Sequence, residues 1–138
     1  MCILLLALSA CSSSSDVSDP DGQGRIDKCK VSLGKSDLYS KDELQNAVDL
    51  IKERFQTMQG CVLHTLDYSG DENSERELAE RNERKPDEQL TALIAFDASF
   101  HSPKEGGGTW TADKEYTWTW YVGKTADGTW KIIGYGYG

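Results

Sequence analysis

The stretch Tyr116–Gly138, YTWTWYVGKTADGTWKIIGYGYG, decides the fold that we expect for this chain. It contains three of the four Trp residues and four of the six Tyr residues, so much of the aromatic surface available for a core lies here. Aromatic residues and Thr alternate from Tyr116 to Val122, which is the period of a strand whose two faces differ. A second apolar run, Trp130–Tyr137, follows a short turn sequence. The stretch therefore predicts a β-hairpin that closes a sheet.

The turn sequence Ala-Asp-Gly that ends at Gly128 predicts how the two strands of this hairpin align. A type I turn followed by Gly128 in the left-handed region makes a hairpin loop with a bulge. In that register Val122 lies opposite Ile132, and Trp120 lies opposite Gly134. The indole ring then has no large side chain across the ladder, and we expect it to lie over glycine or over a cavity.

Residues 39–58 predict one long helix. Ser40 at the N-cap and Glu43 three residues later form a capping box, and Gly60 is placed to end the helix. The apolar residues recur at helical spacing and are Leu44, Val48, Ile51, Phe55 and Met58. Because the opposite face carries charged residues, we expect the apolar stripe to pack against a sheet.

Two further strands are predicted from alternating apolar residues. The first, 61–68, places four side chains on one face: Val62, His64, Leu66 and Tyr68. The second, 90–101, has apolar residues at its even positions, and this face is expected to meet the long helix. Residues 26–38 are expected to form either a short edge strand or a docked extension.

Residues 69–89 are acidic and mixed in charge, with Leu78 almost the only large apolar side chain. They predict a solvated flap, in which 74–84 forms a helix with i,i+4 pairs such as Glu77 with Arg81. Taken together, the elements predict an α+β domain with one long N-terminal helix packed on a curved antiparallel sheet of about four strands. A sheet curved in this way leaves room for a conical pocket under the helix.

The N-terminal residues predict a lipid anchor. Residues 1–11 are apolar but too short to span a bilayer, which needs about 20 residues. Leu8-Ser9-Ala10-Cys11 resembles the lipobox of bacterial lipoprotein signal peptides, and this predicts lipidation of Cys11. No Lys or Arg precedes the apolar run, although signal peptides carry one, which predicts a truncated start. Residues 12–25, rich in Ser, predict a flexible linker, so the folded domain is expected at 26–138.

The net charge of −8 argues against nucleic-acid binding, which needs a Lys- and Arg-rich surface. The cysteine spacing matches no zinc motif, and no motif for a cofactor is present. Cys29 and Cys61 remain once the leader and Cys11 are set aside. They form either a disulfide in an oxidising compartment or two free thiols, with Cys61 packed at the start of a strand.

From residue 38 onward the chain resembles a family of small lipoproteins of Gram-positive bacteria with an NTF2-like, cystatin-related domain. The matching residues are Tyr39–Glu43, Gly60–Leu63, Tyr116–Trp120, Trp130–Ile132 and Gly134–Gly136. The resemblance implies an NTF2-like fold and supplies no catalytic residue. NTF2-like enzymes place an Asp–His or Tyr–Asp pair in the pocket. Here Asp97 and His101 lie two pleats apart on one strand, too distant for such a pair.

The sequence offers one candidate pocket and no metal ligands. Its expected lining is His64, Tyr116, Trp118, Trp120 and Trp130. Each of these residues has a structural interpretation as well: a partly buried His, and aromatic rings that fill a small core. We therefore expect a membrane-anchored, extracytoplasmic lipoprotein whose domain binds a small molecule, a glycan or a protein without catalysis. The alternatives are a small pocket enzyme using His64 or a Tyr as acid–base, and a glycan-binding module using exposed Trp.

Overall fold

The computed structural model describes residues 22–106 and 110–137 and contains one mixed sheet flanked by two helices. The elements in chain order are β1 (Lys30–Ser32), α1 (Lys41–Phe55), β2 (Val62–Tyr68), α2 (Asp71–Arg84), β3 (Leu90–His101), β4 (Glu115–Thr125) and β5 (Trp130–Gly136). The strands lie in the order β1-β2-β3-β4-β5. β1 runs parallel to β2, and the other neighbours are antiparallel.

Helix α1 packs on one face of the sheet and forms the main core. The predicted capping box is confirmed, because the Ser40 hydroxyl accepts from the backbone N–H of Glu43 and the Glu43 carboxylate accepts from the N–H of Ser40. The helix ends at Phe55, three residues earlier than the expected Met58. Its buried residues are Leu44, Ala47, Val48, Ile51 and Phe55. They join the inward side chains of the middle strands in one apolar cluster.

Helix α2 packs on the opposite face, over β3. Leu78 contacts a second, smaller core that includes Leu93 and Ala95. Polar contacts complete the packing. The fully buried Ser74 hydroxyl accepts from the N–H of Ala95 at 3.3 Å, and the Asn82 amide bonds both backbone groups of Leu90 at 2.8 and 2.9 Å. This segment is therefore a packed helix rather than the solvated flap that its charge predicts.

The predicted architecture of one long helix on a curved antiparallel sheet of about four strands, NTF2-like, is wrong. Two helices of 15 and 14 residues cover the two faces, and the sheet has five strands. The fifth strand comes from the ambiguous segment 26–38, in which β1 pairs with β2 in parallel. The helix predicted for residues 74–84 is present as α2 and begins earlier, at Asp71. Its packing on the sheet was not predicted, because it docks through Ser74 and Asn82, which carry no hydrophobic periodicity.

The C-terminal hairpin forms with the predicted turn, and its register is as expected only near that turn. Gly128 has φ 88°, and Val122 lies opposite Ile132. Beyond Ile132 a bulge shifts the ladder by one residue, so Trp120 faces Tyr135 instead of Gly134. The two rings are 4.6 Å apart between centroids. The Trp120 ring is thus covered by another aromatic side chain and not by glycine.

A second bulge decides what β2 presents to the core. The register shifts between Leu63 and Thr65, which leaves His64 as the extra residue. Leu63 and Leu66 are fully buried, whereas His64 is exposed. The expected face that joined Val62, His64, Leu66 and Tyr68 is therefore wrong, because a bulge reverses the side-chain alternation at one point of the strand.

Residues 22–25, the last part of the predicted linker, pack against the folded domain. The N–H of Gly24 donates to the carbonyl of Gln56 at 3.0 Å, and Arg25 bonds the backbone of Cys61 and Leu63 at 2.8 and 2.9 Å. Residues 22–25 therefore line the junction between the end of α1 and the start of β2. The predicted leader 1–11, including Cys11, and linker residues 12–21 lie outside the described residues.

Candidate functional site

Three neighbouring strands bring polar side chains together on the sheet face away from α1. His101 lies opposite Glu115 in the β3–β4 ladder and opposite Val62 in the β2–β3 ladder. Its neighbour in sequence, Phe100, points into the α1 core, so His101 points to the other face. The β2 bulge turns His64 to solvent beside it. We call His64, His101, Asp113 and Glu115 the His–carboxylate cluster.

His101 is the centre of this cluster. Its Nε2 lies 2.6 Å from an Asp113 carboxylate oxygen, and its Nδ1 lies 3.1 Å from a Glu115 oxygen. The second Glu115 oxygen is 3.6 Å from Nδ1 of His64. The two imidazole rings are stacked, with 6.1 Å between centroids and 17° between planes. Two strands and a loop therefore hold one imidazole between two carboxylates.

The two carboxylates raise the pKa of His101. The hydrogen bond to Asp113 is the larger cause and the bond to Glu115 the second, and both favour the protonated ring. Because the folded-state pKa is raised, the resulting stabilisation is complete below the ordinary value of about 6.5 and is lost as pH rises through the raised pKa. His101 thus holds its proton more strongly than a free imidazole.

A cleft of about 530 Å³ opens beside the cluster. Its lining comes from residues 22–25, from β2 and the turn before it, from the end of β3 and from the loop after β3. The lining residues are Gln23, Arg25, Gly60, Val62, His64, His101, Ser102, Pro103, Lys104, Glu105 and Asp113. The volume falls in the range of small-molecule sites. Apolar surface from Val62 and Pro103 lies between groups of both charges. The cleft can therefore receive a ligand with an apolar body and polar ends.

The other residues of the predicted pocket lie elsewhere. Trp120 is fully buried, and Trp118 stacks on Tyr135 at 5.3 Å. Tyr116 stacks on Phe100 at 5.5 Å, in the core under α1. Trp130 contacts Tyr39 edge-to-face at 6.1 Å. The structure thus separates His64 from the four aromatic residues that the sequence grouped with it.

Asp113, Glu115 and His101 were not identified as site residues from the sequence. The sequence analysis considered His101 only as a partner for Asp97, from which it is too distant. The signal that would have found it is the pairing of His101 with Glu115, which follows once Phe100 is set opposite Tyr116. Periodicity does not supply this pairing, because the loop between the strands leaves several registers possible.

The remaining site predictions concern thiols, metals and membranes. Cys29 and Cys61 are both free thiols in the described part of the chain, and burial raises the pKa of Cys61 to about 11. Within residues 22–106 and 110–137, no three His, Cys, Asp or Glu side chains are arranged to hold a metal ion. The helices in these same ranges include none with the length and apolar character needed to span a membrane.

The chain was compared with protein-family models, with curated proteins and with solved structures, and none of the three comparisons gave a match.

Proposed function

We propose that this protein is a membrane-anchored, extracytoplasmic lipoprotein whose domain is a non-catalytic binding module. The ligand site is the cleft beside His64 and His101. The observation that carries this proposal is the combination of a cleft of about 530 Å³ with a cluster of paired charges on its wall. Such a cleft gives a ligand both apolar contact and fixed polar partners.

The geometry of the cluster favours binding over acid–base catalysis. Both ring nitrogens of His101 are engaged by carboxylates. His64 lies 3.6 Å from Glu115, too far for a hydrogen bond that would orient it as a base. His64 is also 44% exposed, so water reaches the ring. The cluster supplies an imidazole held between two carboxylates, which gives a ligand fixed polar partners.

A thermal-shift screen against metabolites, glycans and peptides tests the binding site. At a hundred times its Kd, a true ligand stabilises the fold by about 2.7 kcal/mol. His64→Trp fills the cleft from an exposed position and should abolish the shift. Asp67→Trp adds the same bulk at another exposed position of β2, outside the cleft lining, and should keep it. A ligand that stabilises both variants equally would contradict this assignment of the site.

An acid–base enzyme is the second candidate, and one observation favours it. The 2.6 Å contact between His101 and Asp113 is the kind of pair that orients an imidazole in catalysis. If the wild-type protein chemically converts a ligand found in the screen and the His101→Gln variant does not, the enzyme is the correct candidate. No comparable observation favours glycan stacking on the Trp pair, since the planes of Trp118 and Trp120 differ by 53° and Trp120 is fully buried.

The membrane anchor is tested separately through Cys11. Two or more acyl chains give a stable anchor, whereas a polar side chain at this position gives none. Cys11→Ser is therefore expected to move the protein from the membrane fraction to the soluble fraction. Cys29→Ser, which removes a thiol of the folded domain, is the matched control and should leave the protein in the membrane fraction. Unchanged fractionation of Cys11→Ser would refute lipidation.

A further inference from the structure

Strand β5 is the longer of the two outer strands of the sheet. It has seven residues, against three for β1, and pairs only with β4 among the described strands. An outer strand exposes a row of backbone N–H and C=O groups that another chain can pair with. The C-terminal end of β5 also carries exposed aromatic rings, with Tyr135 at 42% and Tyr137 at 73% exposure. This edge therefore offers backbone and side-chain groups that the described residues leave uncovered.

A groove of about 510 Å³ lies beside this edge, between α2 and strands β3, β4 and β5. We call it the β5 groove. Its floor includes Tyr121, Ile133 and Gly134, and its α2 wall carries Arg81, Arg84 and Lys85. The groove thus runs along the strand whose outer edge is open, with cations on the facing helix.

The cations of the β5 groove are weakly paired. Arg81 reaches only Glu88, at 3.4 Å through Nη2, and its buried Nη1 has no acceptor in the described part of the chain. Arg84 has no ion pair among the described residues. The i,i+4 pair expected between Glu77 and Arg81 does not form within 4 Å, although Glu77 lines the same groove. The Arg84 guanidinium is therefore free to receive a carboxylate from a ligand, whereas Arg81, whose Nη1 is buried, can reach one only through Nη2 in place of Glu88.

Strand β5 adds a further cation on the same side. Lys131 is exposed and lies opposite Gly123, whose α-carbon faces Leu90 and Ile133 on the α2 side of the sheet. Directly opposed residues of a ladder share a face, so Lys131 projects toward the side of the β5 groove. Glu77 and Glu80 are the acidic residues that line the groove. Glu88 lies 3.4 Å from Arg81 and 4.0 Å from Lys85, so four cations face three carboxylates and this region has a small positive balance in a chain of net charge −8.

We propose that an extended, acidic segment of a partner protein adds to the outer edge of β5 as a sixth strand. Backbone hydrogen bonds to β5 would give affinity, and alternate side chains would enter the β5 groove. Carboxylates at those positions meet Arg84 and Lys131, and Arg84 can pair with a carboxylate through two parallel hydrogen bonds. This site lies apart from the cleft and does not depend on the function proposed above.

A second copy of this chain fits the same edge poorly. Pairing β5 with another β5 adds a second Lys131 to an edge that already has a positive balance, and charges of the same sign on neighbouring strands repel each other. Two chains of net charge −8 also repel each other at low ionic strength. Lys and a bulge at an edge strand are common devices against self-pairing. An acidic strand turns the same Lys131 into a favourable contact.

The test uses a fluorescein-labelled peptide of four glutamate–valine repeats, with a peptide of four lysine–valine repeats as control. Fluorescence anisotropy with the full chain should show binding of the acidic peptide and at least tenfold weaker binding of the basic one. The double variant Arg81→Gln and Arg84→Gln should bind the acidic peptide at least tenfold more weakly than the wild type. Arg76→Gln with Lys35→Gln, at exposed positions outside the groove, removes the same charge and should change affinity less than twofold.

Hydrogen exchange locates the peptide. Saturation with the acidic peptide should slow exchange of backbone amides in β5 and leave β1 unchanged. Three outcomes would overturn the proposal. They are slower amide exchange in β1, equal affinity of the two double variants for the acidic peptide, and failure of the acidic peptide to bind the wild type. Dimerisation of the chain alone, with protected β5 amides, would assign the edge to a second copy and would also overturn it.

Discussion

Trp120→Ala is expected to lower the free energy of unfolding by about 3–5 kcal/mol. Trp120, on β4, is fully buried in the core that includes the α1 side chains, and its ring lies 4.6 Å from the Tyr135 ring between centroids. Truncation removes the largest fully buried side chain and leaves a cavity that the surrounding strands fill only in part. Urea unfolding followed by far-UV circular dichroism measures the loss as a lower midpoint at unchanged m-value.

Trp120→Phe is the matched variant and isolates the indole N–H. The buried Nε1 has no hydrogen-bond partner in the described residues, and a buried donor without an acceptor costs about 1–3 kcal/mol. Phenylalanine removes this donor while retaining a ring against Tyr135, so the two effects offset each other. We expect Trp120→Phe to lie within about 1 kcal/mol of the wild type. A loss as large as that of the alanine variant would show that the N–H is well bonded.

Gly24→Ala is expected to cost about 2–3 kcal/mol, at the upper end of the range for overpacking. A Cβ atom at this position would lie 2.3 Å from the carbonyl oxygen of Phe55 and 2.9 Å from that of Met58. Both are backbone atoms at the end of α1 and cannot rotate away. The substitution therefore pushes residues 22–25 from the domain and removes Gln23 and Arg25 from the cleft. Thermal unfolding should show the loss, and any cleft ligand should bind more weakly.

Gly134→Ala is the control for this prediction. Its added Cβ would lie 3.9 Å from the nearest atom, on the Tyr121 ring, and its φ is ordinary. We expect a change within about 0.5 kcal/mol. If Gly24→Ala were as stable as Gly134→Ala, residues 22–25 would not be packed against α1 as described.

Local rules identified the elements whose signals are contained in a few neighbouring residues. The capping box of Ser40 and Glu43 marked the start of α1, and Gly128 marked the hairpin turn. Such signals work because the hydrogen bonds and dihedral angles they depend on involve residues within one turn of the chain. For helix α2 the local charge pattern indicated a helix but did not indicate that it packs on the sheet. Its contacts through Ser74 and Asn82 are with β3, a later part of the chain, and its surface is charged.

The candidate site depended on pairing between distant residues. His64 was identified from the sequence but assigned to a partly buried face, whereas His101 and Glu115 were not connected at all. Their meeting requires the register of β2, β3 and β4 to be known across two connections. The sequence left open whether Trp120 lines a pocket or fills the core, and the structure places it in the core.

The amino-acid sequence by itself determined helix α1, the alternation in β3 and β4, and the turn at Gly128. Only the tertiary structure decided which side of the sheet His64 and Tyr135 occupy. His64 is the extra residue of the bulge in β2, and Tyr135 follows the bulge at Ile133 in β5. At each bulge one extra residue reverses the alternation of side chains. A bulge is stabilised by the neighbouring strand and by packing on both faces, so its position is a property of the assembled sheet. His64 lines the cleft and Tyr135 lines the β5 groove, so the lining of both sites depends on the positions of these bulges.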